Sequence, residues 1–488
     1  MKEAEAAAVA RGETYLGLME KAGSAVADII FKTVSPECKT AVVLCGRGNN
    51  GGDGFVIARR LCESGCGTAV ILLGEPSTPD SKKMFDRLPE NVAVLSVDEG
   101  ASLLCTADIV VDALFGTGLA RNIEGDAERL IEAANESPAV RFAVDVPSGA
   151  ECDTGRVLGV CFKADYTVSF EQYKPCHILP PSNAYCGEVF VADIGIEDDV
   201  FEELPFVAEI IEPKSFKKRD KNAHKGTFGT ALSVTGSYGM SGASVMSSLA
   251  ALRSGVGILK TACTEENYRI IAECVPESVL IPCPSCDGKY KAESIHVIKR
   301  NLKTADALLL GCGLGLSSGI SYIVREAALS SKVPVVLDAD GINSVADSIE
   351  FIKQMKAPLV LTPHPGEMSR LCGMSVGEIE RDRIGTARHF AQKWGVWLVL
   401  KGANTVVATP NGDVFVNITG NPGMATGGSG DILSGIILAL LASGMDVTDA
   451  VCQGVRLHGA AADRAALKVG EVSLLPRDIL EELPYLFK

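Results

Sequence analysis

The sequence has no excess of positive charge and no long apolar run. Its 46 lysines and arginines are outnumbered by 61 aspartates and glutamates, and a net charge of -15 argues against a nucleic-acid partner. The longest apolar stretch, around residues 432–442, falls well short of the roughly 20 residues that span a bilayer. The start, MKEAEAAAVARGE, lacks the basic and apolar regions of a secretory leader. We therefore expect a cytoplasmic protein that binds neither nucleic acid nor membrane.

A disulfide framework and a zinc motif are also missing. The 16 cysteines are scattered along the chain, as expected in a reducing compartment where cysteine acts as a small apolar residue. One CxxC occurs, Cys283 to Cys286, with no second pair nearby to complete a zinc site. We interpret it as an ordinary loop.

What the sequence does contain is the composition and pattern of a large folded protein. Its 488 residues suffice for two or three domains, and 47% are hydrophobic. After an amphipathic helix from Leu16 to Ile30, short β-rich runs alternate with helical stretches. The alternation lapses between residues 194 and 222, where the basic cluster Lys214–Lys221 is expected to be a solvated linker or a subunit contact, and then resumes. The pattern predicts two α/β domains with parallel sheets that bind ligands at the carboxyl ends of the strands.

Three loops of the first half carry polar side chains at predicted strand ends. The loop GRGNNGGDG has the formal spacing of a dinucleotide-binding loop, but Asp53 would oppose the phosphates. Asp112 lies in DALFGTGLARN, and Asp145 begins DVPSG, which also contains Ser148. With Asn50, these residues offer oxygen ligands for a cation and a free carboxylate for proton transfer. Each residue alone could equally belong to a turn or a helix cap.

These three loops, in this order, resemble those of the NAD(P)H-hydrate epimerases over about residues 1–210. The resemblance implies a Rossmann-like, three-layer domain that interconverts the R and S hydrates of NADH and NADPH. It implies a potassium ion held by Asn50, Asp112 and Ser148, with Asp145 as the acid/base. The residues that it places against the hydrate are Asn49, Asn50, Gly51, Gly52, Asp53, Gly116, Thr117, Gly118, Leu119, Ala120, Arg121, Asn122 and Asp145.

The second half contains the glycine-rich run GNPGMATGGSGD, which ends at Asp431 and leads into an apolar helix. Its glycines let the backbone approach a ligand, and the first N–H groups of a helix form an anion site. A carboxylate beside such a site suits phosphoryl transfer, because it can take a proton from an attacking hydroxyl. Asp431 could instead only cap its helix. The sequence has no GxxxxGK[ST] motif, which excludes a P-loop.

Further motifs follow other predicted strands of this half. Lys401–Thr405 offers a cation and polar donors for nucleotide phosphates, or is a simple turn. His364 lies between two prolines and is either a substrate-orienting group or a satisfied surface residue. Gly311–Gly315 lets the backbone approach a ring or ribose, or forms a turn. Asp338 and Asp340 are candidate magnesium ligands, although a turn is the preferred interpretation.

Together these motifs resemble the ribokinase-like superfamily, and within it the ADP- or ATP-dependent NAD(P)H-hydrate dehydratases, from about residue 222 onwards. The resemblance implies that the hydroxyl of the S hydrate is phosphorylated by ADP, with Mg²⁺ on the nucleotide, and that phosphate then leaves. Lys225 is a further candidate for phosphate contact, and Cys312 stands where relatives often carry proline. The implied ADP contacts are Lys401, Gly402, Ala403, Asn404, Thr405 and Gly430. The implied hydrate contacts are Gly313, Gly315, His364 and Asp431, with Asp431 as the base.

The two halves together predict a bifunctional repair enzyme with an epimerase domain at residues 1–210 and a ribokinase-like dehydratase domain at residues 211–488. Its substrates would be NADHX and NADPHX, the hydrates of NADH and NADPH, with ADP. We also expect a homo-oligomer. One alternative is a kinase of a small alcohol or vitamin precursor with a non-catalytic N-terminal interaction domain. An NAD-dependent dehydrogenase is weaker, because of Asp53.

Overall fold

Residues 1–35, 39–202, 204, 206–216 and 218–487 are described in a computed structural model. The chain divides into two compact units, Met1–Val207 and Ala208–Lys488. None of the described helices is both long and apolar enough to cross a membrane. All of the described cysteines are free thiols, and of the CxxC pair Cys283 is buried while Cys286 is exposed.

The first unit is a seven-stranded, fully parallel sheet in the order β3-β2-β1-β4-β5-β6-β7. Its strands are β1 (Thr40–Cys45), β2 (Gly67–Leu72), β3 (Ala93–Ser96), β4 (Ile109–Ala113), β5 (Val140–Val144), β6 (Tyr166–Phe170) and β7 (Glu188–Ala192). Its α-helices are α1 (Lys2–Ala10), α2 (Tyr15–Thr33), α3 (Asn49–Glu63), α4 (Pro79–Phe85), α5 (Val97–Gly100), α6 (Asp126–Glu136), α7 (Pro175–Ile178) and α8 (Asp198–Glu202). Apolar cores lie on both faces of the sheet, and its strand order reverses between β1 and β4. The loops after these two strands therefore flank the crevice where doubly wound folds bind ligands.

The second unit has a ten-stranded sheet in the order β11-β10-β9-β14-β15-β16-β17-β18-β19-β8 and a small hairpin, β12-β13. From β11 to β17 every pairing is parallel, and β18 is antiparallel to both neighbours. The strands are β8 (Glu209–Ile210), β9 (Thr230–Val234), β10 (Ile258–Thr264), β11 (Val279–Cys283), β12 (Ser285–Cys286), β13 (Lys289–Tyr290), β14 (Ala307–Leu310), β15 (Val335–Leu337), β16 (Leu359–Leu361), β17 (Trp397–Leu400), β18 (Val406–Ala408) and β19 (Val414–Val416). The order reverses between β9 and β14.

The helices of the second unit cover both faces of this sheet. They are α9 (Ser241–Arg253), α10 (Tyr268–Cys274), α11 (Ser294–Leu302), α12 (Ser318–Ser330), α13 (Asp340–Asn343), α14 (Pro365–Cys372), α15 (Val376–Arg381), α16 (Arg383–Trp394), α17 (Ser429–Ala442), α18 (Val447–Val469) and α19 (Pro476–Glu482). Helix α17 is buried on nearly all sides and packs on α9. A Cβ at Gly435 would come within 2.2 Å of the Ser247 carbonyl oxygen, so glycine is needed for this close packing. The start of α17 is thereby fixed against the core.

Two local features differ from the sequence-based expectation. The run NNGGDG is the first turn and a half of α3 and not a loop, because its glycines serve close packing: a Cβ at Gly51 would lie 1.9 Å from the Gly46 carbonyl oxygen. The beginning of the basic cluster is part of the second unit and is held to it by specific contacts. Lys214 donates to Asp449 at 2.5 Å, and the ring of Phe216 lies 4.7 Å from that of Phe487. Lys217 lies outside the described residues.

Candidate functional site

The crevice of the first unit holds a buried carboxylate, Asp112, at the end of β4. It accepts hydrogen bonds from the Ser148 amide and hydroxyl, each at 2.7 Å, and from the Leu114 amide at 3.1 Å. Ser148 is thus tied to Asp112 across two neighbouring strands, as the strand-end argument predicts. Burial raises the pKa of Asp112 to about 6, against the lowering effect of these neutral donors.

Asn50 lies on the first turn of α3, beside the segment that follows β4. Its side-chain Oδ1 lies against Gly116, 3.2 Å from where a Cβ would stand, and its buried Nδ2 meets no hydrogen-bond partner in the described part of the chain. The unpartnered Nδ2 is a donor and does not bind a cation, but the Asn50 amide oxygen, the Asp112 carboxylate and the Ser148 hydroxyl are oxygen donors of the kind that a monovalent cation takes. The structure therefore fits, by the chemistry of its donors, the potassium site expected at Asn50, Asp112 and Ser148.

Asp145, after β5, lies in a separate buried ion pair. Its carboxylate accepts a hydrogen bond from the Lys174 ammonium at 2.5 Å, and that ammonium also donates to Ser169 Oγ and the Phe170 carbonyl. His177 Nδ1 accepts from the Lys174 amide, which leaves Nε2 to donate to the Asp145 carbonyl at 2.8 Å. Burial and the Lys174 charge lower the pKa of His177 to about 4, so this ring is neutral.

The backbone at Asp145 is itself unusual, with φ of +65°, in the left-handed region that non-glycine residues rarely adopt. Asp53 and Glu5 face the same pocket. Burial, Asp145 and Glu5 raise the pKa of Asp53 well above its ordinary value, and burial and Asp145 raise that of Glu5. Three carboxylates therefore interact electrostatically here, and the Lys174 ammonium is bonded to one of them, Asp145, an arrangement suited to holding and moving a proton.

The other predicted hydrate contacts of this unit lie at the start of α3 and in the segment that follows β4. Gly51, Gly52 and Asp53 are buried in α3, while Asn49 is exposed at its start. The segment 116–122 follows β4 and is largely exposed, with Leu119 partly packed on the core and its N–H bonded to the Gly116 carbonyl. The structure thus places this set at one edge of the sheet. Lys174, His177 and Glu5 are additional residues that the motif search missed.

In the second unit, the N-terminus of α17 is open. No side chain caps the helix, and the N–H groups of Gly430 and Asp431 meet no acceptor among the described residues. The Lys401 ammonium lies 3.5 Å from where a Cβ of Gly430 would stand. Free amides at a helix start next to an ammonium form an anion site. This is the place that the glycine-rich run predicts for a phosphoryl group.

Asp338 fixes the Lys401 ammonium at that anion site. It is buried at the end of β15 and accepts from Lys401 at 2.7 Å and from Ser434 Oγ at 2.8 Å. Burial alone would raise its pKa, but Lys401 and these hydrogen bonds hold the pKa of Asp338 below its ordinary value. The sequence-based interpretation of Asp338 as part of a simple turn therefore misses its bonds to Lys401 and Ser434. Asp340 begins α13 and accepts the Gly315 N–H at 2.7 Å, which fixes the glycine loop after β14.

Asp431 lies in the first turn of α17, next to this ion pair. Burial, followed by the charge of Asp338, raises the pKa of Asp431 to about 6, whereas Cys312 and Lys401 act to lower it. Ligand atoms of Asp431, Asp338 and Cys312 all lie within 4.8 Å of one another. A carboxylate with a pKa close to neutrality beside an open anion site is equipped to accept a proton during group transfer.

The remaining predicted residues surround this centre or lie away from it. His364 Nδ1 accepts from the Gly366 and Glu367 amides as the N-cap of α14, so Nε2 carries the proton; it lies 3.5 Å from Glu367 Oε1 on a ring that is half-exposed. The neutral, buried His458 contacts Ser429 Oγ at 3.1 Å at the start of α17 and was missed from sequence. Lys225 is exposed and precedes β9, at the amino edge of the sheet, opposite the other residues.

The fold and these two centres define a two-domain α/β enzyme, with proton-transfer chemistry in one unit and anion binding beside a carboxylate in the other. A family model described as NAD(P)H-hydrate dehydratase matches residues 231–485, and one described as YjeF-related protein N-terminus matches residues 16–176. Both matches fall within one unit each.

Relatives match over nearly the whole chain. The bifunctional NAD(P)H-hydrate repair enzyme of Thermofilum pendens is 39% identical over 96% of this chain and 91% of its own, and that of Escherichia coli is 34% identical over 99% and 91%. The chain therefore belongs to the family of bifunctional NAD(P)H-hydrate repair enzymes, which confirms the predicted enzyme class and fold class. Among solved structures, the ADP/ATP-dependent NAD(P)H-hydrate dehydratase from Bacillus subtilis, co-crystallised with ATP/Mg²⁺, is 33% identical and covers 56% of this chain and 94% of its own, with a TM-score of 0.49.

Proposed function

We propose that the domain at residues 1–210 interconverts the R and S hydrates of NADH and NADPH. The domain at residues 211–488 then converts the S hydrate to NAD(P)H at the expense of ADP. The observation that carries the proposal is the pairing of a half-buried carboxylate, Asp431, with the open amides of α17 and the Lys401 ammonium. With both activities in one chain, the whole hydrate pool is restored, because the first activity supplies the epimer that the second consumes.

In the dehydratase, Asp431 takes the proton from the C6 hydroxyl as its oxygen attacks the terminal phosphorus of ADP. The bond from that phosphorus to the AMP oxygen breaks, and AMP leaves. The amides of Gly430 and Asp431 hold the migrating phosphoryl group, and Lys401 adds positive charge. Phosphate then leaves C6 and a proton leaves the neighbouring C5, which regenerates the nicotinamide double bond between these two carbons.

The surrounding loops position the two substrates. Residues 401–405 contact ADP, and this loop is held in place by Arg383, which donates to the Leu400 and Lys401 carbonyl oxygens. Gly313, Gly315 and the half-exposed ring of His364 contact the hydrate. Magnesium would neutralise the phosphates of the nucleotide; Asp338 is engaged by Lys401 and is therefore not a free ligand for it.

In the epimerase, Asp145 acts as the acid/base at C6. Inverting this carbon requires reversible loss of the hydroxyl, so a proton must be delivered and recovered. Lys174 fixes the Asp145 carboxylate and compensates its charge, and the segments 49–53 and 116–122 contact the dinucleotide. Potassium held by Asn50, Asp112 and Ser148 would supply the positive charge that the neutral partners of Asp112 do not. We also propose that the protein is a cytoplasmic homo-oligomer; its apolar share of 47% allows a symmetric assembly.

Potassium is expected to stabilise the first unit. At a concentration one hundred times its dissociation constant, the ion would add about 2.7 kcal/mol to the free energy of unfolding. Thermal unfolding in KCl and in NaCl of equal ionic strength measures this, with a higher midpoint in KCl. Asp112→Asn removes the charged ligand and should abolish the difference. Equal midpoints for the wild-type protein in both salts would contradict the site.

Incubation with racemic NADHX and ADP tests the whole function by the absorbance of the regenerated nicotinamide. Complete recovery supports both activities, and recovery of half the hydrate supports only the dehydratase. A stable phosphorylated product in place of free phosphate would favour the small-alcohol kinase. No recovery and no ADP consumption would contradict the proposal.

A further inference from the structure

An exposed tyrosine occupies the tip of a tight turn at the carboxyl end of β9. Residues Ser237 to Met240 form this turn, closed by a hydrogen bond from the Met240 amide to the Ser237 carbonyl at 2.8 Å, with Gly239 at φ of +80°. Tyr238 is 75% exposed, more than any other described aromatic side chain. Large exposed aromatic rings on rigid turns are a feature of binding surfaces.

The turn is held rigidly from several sides. The Asn267 side-chain amide donates to the Ser237 carbonyl at 2.8 Å, and the Tyr238 amide donates to the Gly288 carbonyl at 2.9 Å. Ser237 Oγ donates to the Gly313 carbonyl at 3.0 Å, which links the turn to the glycine loop after β14. Because its backbone is already ordered, the Tyr238 ring can bind a partner at little further cost in backbone entropy.

Two more exposed apolar side chains flank the same loop. Met240 is 37% exposed and lies against Gly313, with a distance of 3.0 Å from its Cβ to where a Cβ of Gly313 would stand. Leu316, directly after the glycine loop, is 55% exposed. The three side chains thus form an apolar rim, Tyr238, Met240 and Leu316, beside the loop proposed to contact the hydrate.

The geometry points to Tyr238 as a stacking platform for the adenine ring of the hydrated dinucleotide, an inference that rests on the proposed dehydratase function. The reacting nicotinamide must reach Asp431, which is half-buried and lies within 4.8 Å of Asp338 at the end of β15. β9 lies two strand spacings from β15, about 10 Å. The adenine, joined through two riboses and a pyrophosphate, can span that distance to the rim.

The order of the sheet favours the hydrate over the adenine of ADP as the partner. The proposed ADP loop, residues 401–405, follows β17, which is separated from β9 by β14, β15 and β16. Four strand spacings amount to about 19 Å. Tyr238 is therefore assigned to the hydrate and not to the phosphoryl donor.

Steady-state kinetics of Tyr238→Ala tests this assignment, with pure S hydrates of NADH and of reduced nicotinamide mononucleotide, which lacks adenine. Loss of stacking should raise the KM for the NADH hydrate roughly five- to twentyfold. The KM for the mononucleotide hydrate, the KM for ADP and kcat should stay unchanged. Tyr238→Phe keeps the ring and should behave like the wild type, and Tyr485→Ala controls for loss of another exposed tyrosine of this unit.

An unchanged KM for the NADH hydrate, an equal rise for both hydrates, or a rise in the KM for ADP would each overturn the assignment. Thermal unfolding establishes that the variant is folded. If the wild-type protein turns over neither hydrate, the proposed function itself fails, which is distinct from a failure at Tyr238.

Discussion

Replacing Asp431 by asparagine is expected to lower the rate of ADP-dependent dehydration by about a thousandfold, because the variant cannot accept the proton of the attacking hydroxyl. Exchange between the R and S hydrates should continue at the wild-type rate, since it depends on the first unit. The absorbance of regenerated NADH measures the first activity, and proton NMR of the two epimers measures the second. The open amides of α17 remain in the variant, so binding of ADP should change little.

The pH dependence of the wild-type enzyme follows from the same residue. The base acts only when ionised, and burial together with the charge of Asp338 raises the pKa of Asp431 to about 6. The value of kcat/KM should therefore be constant above this pH and fall about tenfold per unit below it. A profile that is flat down to pH 4.5 would contradict Asp431 as the base.

Asp347→Asn provides a matched control, because Asp347 is exposed in the same unit and the same chemical change there should leave both activities intact. Asp431→Asn should unfold at the same temperature as the wild type or higher, because a carboxylate whose pKa is raised by folding costs stability when it is ionised at neutral pH. A folded Asp431→Asn protein that dehydrates normally, or that loses epimer exchange as well, would contradict two separate sites.

The residues of both centres could be predicted from the sequence only where a polar side chain falls at the end of a predicted strand or in a glycine-rich run. Asp112 is near the end of β4, Asp145 directly follows β5, and Asp431 ends a glycine-rich run at the start of α17; parallel strands bring such positions to one edge. The ion pairs that these centres depend on carry no such signal, although Lys401 itself is a candidate. Lys174 lies 29 residues from Asp145, and Lys401 lies 63 residues from Asp338, so each pair exists only after the chain has folded.

The same limit applies to glycine. A run such as NNGGDG is typical of a loop when read locally, yet here it lies within α3. Gly51 and Gly54 are required because the Gly46 carbonyl and the side chains of Cys45 and Ala113 occupy the space of a Cβ. Conformational freedom and close packing call for the same residue, and only the neighbouring strands distinguish them.

Replacing Lys174 by methionine is expected to reduce epimer exchange by two to three orders of magnitude, of the order that positioned acid/base groups supply. The change would leave Asp145 buried without its counter-charge, close enough to Asp53 and Glu5 to interact with both. A racemic hydrate should then be recovered only to half, while the S hydrate is dehydrated at the wild-type rate. Proton NMR of the epimers and the final absorbance measure the two effects.

Two further variants test whether the loss of epimer exchange results from the missing positive charge. Lys174→Arg retains the positive charge and should keep part of the exchange activity, whereas Lys163→Met, at an exposed position of the same unit, should keep all of it. Because the Lys174 ammonium also donates to Ser169 and Phe170, thermal unfolding must show that the methionine variant still folds. A folded Lys174→Met protein with normal exchange would mean that Asp145 needs no cationic partner, and it would overturn the role proposed for Lys174.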